Sequence, residues 1–418
     1  MNQTDLLSVM EFYKSVIKTD LSDYENNIRQ LTLPIVPTQI VINLCNSIAK
    51  ICQTEPNILH LSSNYIVVGD LHGHILDLLR IFKRFMLPPQ QNYIFLGDLV
   101  DRGEFSTEVV ILIYILKSLF PRNVYVIRGN HEFSQICQRG GFSCELYSVY
   151  PDSNVEAAFF RSFAYLPLGA IVGNSQMSYL LVHGGIGPNV HSLSDIESIQ
   201  RPLTASDDDI ANSILWSDPN PHITDFKPSS RGSGYFYGKD ALSKFLADNN
   251  LKLLVRGHEC VQNGIERQID GMITVFSASY YCGISPNKAG VLLMRNNGKI
   301  EEFIMPPLKY LKRDQVCFLG NESDYAFRVS PSFSASMTPP KMKREEIIPK
   351  VTLLPNLEAR PRGQRIRSSS ELNMTTARKK VSSMHCESRV MFDLIDRKKK
   401  KDETRMFRNF KNMSSTFH

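Results

Sequence analysis

The chain has 418 residues and a formal net charge of +6 at pH 7. The positive charge is unevenly placed. Residues 1–310 contain 25 Lys and Arg against 30 Asp and Glu, a net of −5, whereas residues 311–418 contain 23 against 12, a net of +11. A basic balance confined to the C-terminal part argues against nucleic-acid binding by the rest of the chain.

The cysteines give an expectation about the cellular compartment. The eight cysteines are scattered and form no CxxC pair, so we expect no disulfide framework. Reduced thiols are typical of the cytoplasm and the nucleus, and we expect the protein in either or both. The N-terminus lacks a basic region followed by an apolar core, and no apolar run approaches the ~20 residues of a membrane helix. We therefore expect neither a signal peptide nor a membrane partner.

Helical spacing of apolar residues predicts four helices. They lie after Asp5 and over residues 40–51, 75–85 and 107–119. Towards the C-terminus the periodicity is lost, and Ser/Pro-rich segments and basic runs follow. Such a composition buries too little apolar surface to offset chain entropy. The sequence thus predicts a catalytic domain over residues 1–310, including the N-terminal helices, and a basic, disordered tail over residues 311–418.

Six short apolar runs each end in a polar turn, a pattern typical of buried strands that lead into loops. They span residues 65–68, 93–96, 124–127, 179–182, 251–255 and 273–276. The first three are spaced as in β-loop-helix-β units. In open α/β sheets, functional groups collect just past the carboxyl ends of the strands. We therefore expect the polar residues after these runs to converge on one site.

The polar residues after the runs are carboxylates, imidazoles and amides. Such groups suit divalent ions such as manganese, iron or zinc, and no thiolate occurs in the first three turns, which argues against a structural zinc knot. The candidate ligands outnumber the needs of one tetrahedral ion and are enough for two, an arrangement that recurs in phosphate-ester hydrolysis. The candidates stand in residues 69–74, 97–103 and 128–132, and His183 and His258 follow the later runs.

Together these blocks carry a family resemblance. Gly-Asp-x-His-Gly, Gly-Asp-x-Val-Asp-Arg-Gly, Arg-Gly-Asn-His-Glu and then His-Gly-Gly resemble the phosphoprotein phosphatase family of serine/threonine phosphatases. Residues 216–219 and 231–238 extend the resemblance, and the spacing is most similar to type-1 catalytic subunits. The resemblance implies an α/β, calcineurin-like metallophosphoesterase fold: a β-sandwich with flanking helices and a dimetal site at strand ends.

The resemblance also implies a role for each site residue. Asp70, His72 and Asp98 would hold the first ion. Asp98 would bridge to the second ion, which Asn130, His183 and His258 would complete. The ions would be manganese in vitro, with iron or zinc as alternatives, and would activate a hydroxide that attacks phosphorus.

The same resemblance implies roles for six residues in proton transfer and phosphate binding. His131 would be the general acid that protonates the leaving oxygen, oriented by Asp101. The phosphate oxygens would be bound by Arg102, Asn130, Arg231 and Tyr281.

The chain departs from the family pattern near Tyr281. His74 stands where glutamine is usual, Ser279-Tyr280 where Pro-Asn is usual, and Ile284-Ser285 where an acidic and aromatic pair is usual. These changes leave every predicted metal ligand intact. They leave open the conformation of the loop that carries Tyr281.

Two other functions compete with a protein phosphatase. A small-molecule phosphoesterase, such as a dinucleoside-polyphosphate hydrolase, shares the first three blocks, but the set of Trp216, Arg231 and Tyr281 disfavours it. A catalytically inactive scaffold requires a lost ligand or acid, and none is lost. The expected partners are phosphoprotein substrates and regulatory subunits that bind through short docking motifs. Arg389-Val390-Met391-Phe392 resembles such a motif and predicts self-docking.

Overall fold

All six predicted runs form strands, and the four predicted helices are present. A computed structural model describes residues 3–320, apart from residues 27, 152, 175 and 206. The helices of this part are α1 Gln3–Lys18, α2 Leu21–Glu25, α3 Thr38–Thr54, α4 Ile75–Phe85, α5 Ser106–Leu119, α6 Ser134–Gly140, α7 Phe142–Val149, α8 Val155–Ala164, α9 Leu193–Glu197, α10 Asp209–Trp216 and α11 Lys239–Asp248. None of them has the length and apolar character needed to cross a membrane.

The strands form two large sheets and two small ones. The large sheets have the strand orders β15-β14-β3-β4-β5 and β12-β13-β11-β7-β6-β2, and the small ones β8-β10-β9 and β1-β16. The strands are β1 Thr32–Pro34, β2 Ile58–Leu61, β3 Tyr65–Val68, β4 Tyr93–Phe95, β5 Val124–Val126, β6 Gly169–Gly173, β7 Ser178–Val182, β8 Asp218–Pro219, β9 Phe226–Pro228, β10 Tyr235–Tyr237, β11 Leu253–Arg256, β12 Ile265–Glu266, β13 Met272–Val275, β14 Ala289–Met294, β15 Ile300–Met305 and β16 Cys317–Leu319.

The two large sheets pack face to face, with helices on both outer faces. Alternate residues of β3 show this directly: Tyr65 and Val67 enter the core between the sheets, whereas Ile66 and Val68 enter the core beneath α1, α3, α4, α5 and α8. On the other side, Leu180 of β7 packs outward in a core shared with α10 and α11. A strand that is buried on both faces has a continuous run of apolar residues in its sequence. The predicted β-sandwich with flanking helices is confirmed.

The parallel strands bring their carboxyl ends to one edge of the sandwich. In the five-stranded sheet, β3, β4 and β5 are mutually parallel. In the six-stranded sheet, β7, β11 and β13 are mutually parallel. A single parallel bridge between Asp70 and Phe276 joins the two sheets where β3 and β13 end.

The ordered chain continues past the predicted domain boundary at residue 310. Residues 313–315 form a short 3-10 turn, and β16 pairs in parallel with β1. Residues 311 to 319 therefore pack with the catalytic region, whereas their composition predicts a disordered tail. The reason is that Phe318 and Val316 join the apolar core in spite of the polar residues around them. The rest of the predicted tail lies outside the described residues.

Arg313 fastens this C-terminal segment to α5. Its guanidinium donates to both carboxylate oxygens of Glu108 at 2.7 and 2.8 Å and to Oε1 of Glu145 at 3.2 Å. Glu145 in turn accepts the backbone N–H groups of Ser106 and Thr107 at the start of α5. Burial and the neighbouring charge of Glu108 raise the pKa of the Glu145 carboxyl to about 7. Arg313 is thus the counter-charge of two buried carboxylates.

We expect Arg313→Ala to lower the free energy of unfolding by about 3 kcal/mol, because it leaves two buried carboxylates without their cation. Chemical denaturation of the purified protein measures this change. Arg267→Ala is the matched control, since Arg267 is exposed and pairs with Glu302 at the surface. Equal midpoints for Arg313→Ala and Arg267→Ala would show that the buried cluster does not fasten the segment.

Candidate metal centre

The six predicted ligands converge where the strands end. Asp70 and His72 follow β3, Asp98 follows β4 and Asn130 follows β5. His183 and His258 follow β7 and β11 of the other sheet, and all six side chains are buried.

Asp98 lies at the centre of the convergence. Ligand atoms of His72, Asp98 and His131 lie within 4.8 Å of one another, and so do those of Asp98, His183 and His258. Asp98 is the residue shared by the two clusters. Its Oδ2 lies 3.4 Å from Nε2 of His72, and its Oδ1 lies 3.4 Å from Nε2 of His183. A carboxylate between two clusters is suited to bridge two cations.

The orientation of the imidazoles tests whether these residues fit metal ions. Nδ1 of His72 faces the carbonyl oxygen of Val100 at 2.8 Å, so this nitrogen carries the proton. The lone pair on Nε2 then faces the carboxylate oxygens of Asp70 and Asp98 at 3.7 and 3.4 Å. Burial lowers the pKa of His72 well below its usual value, so the imidazole is neutral. A cation between these acceptors would satisfy all of them.

The second cluster shows the same pattern. Nδ1 of His183 faces the carbonyl oxygen of Leu96 at 2.8 Å, and its Nε2 faces Oδ1 of Asn130 at 2.9 Å. Nε2 of His258 and Oδ2 of Asp70 are buried and lack a hydrogen-bond partner. Burial lowers the pKa of His258 well below its usual value. Burial alone would lower the pKa of His183, but the charge of Asp98 raises it to about 9. Imidazole nitrogens and carboxylate and amide oxygens form a donor set that fits divalent ions.

His131 lies beside the first cluster and is held by Asp101. Nδ1 of His131 is 2.7 Å from Oδ2 of Asp101, whose other oxygen accepts the N–H of Phe142 at 2.9 Å. The His131 and His72 rings lie 4.7 Å apart. Burial alone would lower the pKa of His131, but the charges of Asp98 and Asp101 raise it. The surroundings thus favour the imidazolium, the form that can donate a proton.

The predicted phosphate-binding residues lie at the two clusters or next to residues that contact them. Arg102 is exposed and directly follows Asp101. Arg231 is partly exposed, and its Nε donates to Oδ2 of Asp218 at 2.6 Å. The Tyr281 ring lies 5.3 Å from the His72 ring, on the side of the first cluster. The loop departures near Tyr281 therefore leave this side chain next to the predicted metal ligands.

Two carboxylates that support the site had no predicted role. Glu132 accepts the backbone N–H groups of Asp98, Leu99 and Gly129 at 2.8–2.9 Å, and so ties the loop after β4 to the loop after β5. Asp218 accepts from both Arg231 and the buried Arg256. Both residues stand inside sequence blocks that carry the family resemblance. Their position in those blocks was the only signal, because their partners lie on other loops.

Comparison with known proteins identifies the class. The family model described as calcineurin-like phosphoesterase matches residues 63–262. The chain is 39% identical over 281 residues to serine/threonine-protein phosphatase PP2A-like PPG1 of Candida albicans, which covers 66% of this chain and 67% of the relative. It is 37% identical over 253 residues to the serine/threonine-protein phosphatase 4 catalytic subunit of Kluyveromyces lactis, covering 60% and 81%.

A solved structure agrees with this class. A protein serine/threonine phosphatase from Saccharomyces cerevisiae with similarity to human phosphatase PP5 superposes with a TM-score of 0.61 at 30% identity, covering 66% of this chain and 91% of that chain.

The fold and the converging donor set are those of a calcineurin-like metallophosphoesterase. Within that class, the chain belongs to the phosphoprotein phosphatase family of serine/threonine protein phosphatases. Its function is therefore that of a protein phosphatase, and the small-molecule alternative is disfavoured. The relatives named above are of the 2A-like and 4 types, so the similarity to type-1 enzymes stays a prediction. The family implies two divalent metal ions.

We expect Asp98→Asn to lose both metal ions, because an amide offers one neutral oxygen where a carboxylate offers two charged ones. Elemental analysis of the purified protein measures the occupancy per chain. Asp240→Asn, an exposed change on α11, is the control and keeps the wild-type metal content. Two-ion occupancy in Asp98→Asn would contradict the bridging position of this residue.

Proposed function

We propose that the chain dephosphorylates phosphoserine and phosphothreonine in proteins with His131 as the general acid. The observation that carries this assignment is the His131–Asp101 pair beside two clusters that share Asp98. An alkoxide leaving group needs a proton, and an imidazolium held by a buried carboxylate supplies one from a fixed direction. Asp101 keeps Nδ1 occupied, so Nε2 is the atom that donates.

Two divalent ions complete the proposed centre. Asp70, His72 and Asp98 would hold one ion, and Asp98 with the second cluster and Asn130 would hold the other. Manganese is the proposed ion in vitro, with iron or zinc as alternatives, since all three accept mixed oxygen and nitrogen ligands. When bound, such ions lower the pKa of water and offset the negative charge of the phosphate.

The remaining roles belong to residues that face the phosphate. Arg102 and Arg231 lie on different loops, and their guanidinium groups suit two-point contacts with phosphate oxygens. Asn130 offers an amide N–H group, and Tyr281 a hydroxyl. Asp218 orients Arg231 by accepting from its Nε, which leaves both terminal nitrogens of that guanidinium available for the substrate.

Location and partners are further parts of the proposal. We propose a cytoplasmic or nuclear protein, supported by the lack of disulfides among the seven cysteines in the described part of the chain. Regulatory subunits would set the substrate specificity, since the proposed contacts involve only the phosphate. Neither nucleic acid nor membrane is a proposed partner.

We expect His131→Asn to lower kcat on a phosphopeptide by ~10²–10⁴, the usual contribution of a general acid. The loss should be much smaller on p-nitrophenyl phosphate, whose leaving group needs little protonation. Steady-state assays with added manganese compare the two substrates. His191→Asn changes an exposed histidine and serves as the control. Equal losses on the two substrates would remove His131 from the general-acid role.

The docking motif at residues 389–392 lies outside the described part and remains a proposal drawn from the sequence. A tethered motif has an effective concentration in about the millimolar range, so even weak intrinsic affinity would leave it bound. We expect the double change of Val390 and Phe392 to Ala to strengthen binding of a docking-motif peptide added in trans. Isothermal titration calorimetry measures the affinity, and the same affinity for both proteins would rule out self-docking.

A further inference from the structure

Ser279 occupies a position where the family usually has proline. Its hydrogen bonds need a backbone N–H and a hydroxyl, which proline lacks. The residue is 2% exposed and lies in the loop between β13 and β14. Its backbone N–H donates to Oδ2 of Asp77 at 2.8 Å, and its hydroxyl donates to Oδ1 of the same carboxylate at 3.0 Å. A proline has neither donor. The two hydrogen bonds bind the loop to α4, the helix that follows the first metal-ligand block.

The same hydroxyl also binds the segment that follows β15. We call residues 306–313 the strap. The N–H of Leu308 donates to Oγ of Ser279 at 3.0 Å. Arg80 of α4 pairs with Asp77 and donates to the carbonyl oxygen of Pro306 at 2.5 Å. Ser279 therefore sits at the junction of the loop, α4 and the strap, and its hydroxyl is both donor and acceptor.

The loop held at Ser279 carries Tyr281 in a conformation that needs external support. Tyr280 has φ 46° and Cys282 has φ 56°, so left-handed backbone flanks Tyr281 on both sides. The Tyr281 ring stacks on His74 at 5.8 Å, and Tyr310 of the strap lies against Gly283 of the same loop and against His74. Asn287 holds the turn from within the loop, because its Oδ1 accepts the N–H of Tyr281 at 3.0 Å, and Ser279 joins the start of the same turn to α4.

We propose that Ser279 is a positioning residue that fixes Tyr281 in the substrate cleft. It does so by hydrogen-bonding the loop to Asp77 and to the strap. The inference rests on the proposed contact between Tyr281 and the phosphate. In this chain, buried hydrogen bonds of Ser279 would give the loop the rigidity that a proline ring usually gives it.

The test is a double-mutant cycle between Ser279→Ala and Tyr281→Phe. We expect Ser279→Ala to lower kcat/KM on a phosphopeptide about 10-fold, within the range known for misplaced catalytic groups. In the Tyr281→Phe background the same change should cost less than about 2-fold, because nothing remains to be positioned. Ser279→Thr keeps both donors and should restore activity. Equal losses in both backgrounds would overturn the inference.

Hydrogen exchange measured by mass spectrometry gives a readout independent of activity. Peptides covering residues 277–287 should exchange faster in Ser279→Ala, whereas Ser285→Ala, a change in the same loop away from Asp77, should leave the exchange unchanged. Unchanged exchange in Ser279→Ala would overturn the inference. Full activity of Ser279→Ala beside an impaired Tyr281→Phe overturns the inference alone. Full activity of Tyr281→Phe overturns the proposed phosphate contact and the inference together, without touching the proposed role of His131.

Discussion

The close approach of the two sheets at the ends of β3 and β13 decides where the site lies. A β-carbon on Gly69 would stand 2.0 Å from the carbonyl oxygen of Val275, so only glycine allows this contact. Beside it, Gly257 leaves room for the carboxylate of Asp70, which a β-carbon there would meet at 2.3 Å. Because the backbones meet here, ligands from both sheets reach one small volume. All other features of the site depend on this contact.

The convergence carries a cost in backbone strain. Five of the predicted site residues have left-handed backbone, which non-glycine residues rarely adopt. They are His72, Asp98, Asp101, Arg102 and His258. Each such residue costs on the order of 1–3 kcal/mol, and the cost persists only where surrounding contacts fix the backbone. Glu132 supplies part of that fixation, since it binds the N–H groups of Asp98 and Leu99 directly.

The sequence predicts the features that depend on local patterns, and it does not predict those that depend on contacts between distant segments. The strands were predictable because burial on both faces makes each one a continuous apolar run. The convergence of the candidate ligands was predictable because they directly follow those runs and match a known family. The supporting roles of Glu132 and Asp218 were not, since each carboxylate accepts from backbone or side chains of another loop. The strand β16 was missed for a similar reason: three residues with no alternation become a strand only through their pairing with β1.

The pairing of β1 with β16 has a consequence for the connectivity of the catalytic region. Its first and last strands are neighbours in parallel register, with Leu33 opposite Phe318. The last described strand therefore lies beside the strand that follows the two N-terminal helices. Because β1 and β16 run in parallel, a linker from the end of β16 to the start of β1 would have to run back along the length of one strand. A circular permutant that begins at β1 would also have to relocate α1 and α2, whose apolar residues lie in the core.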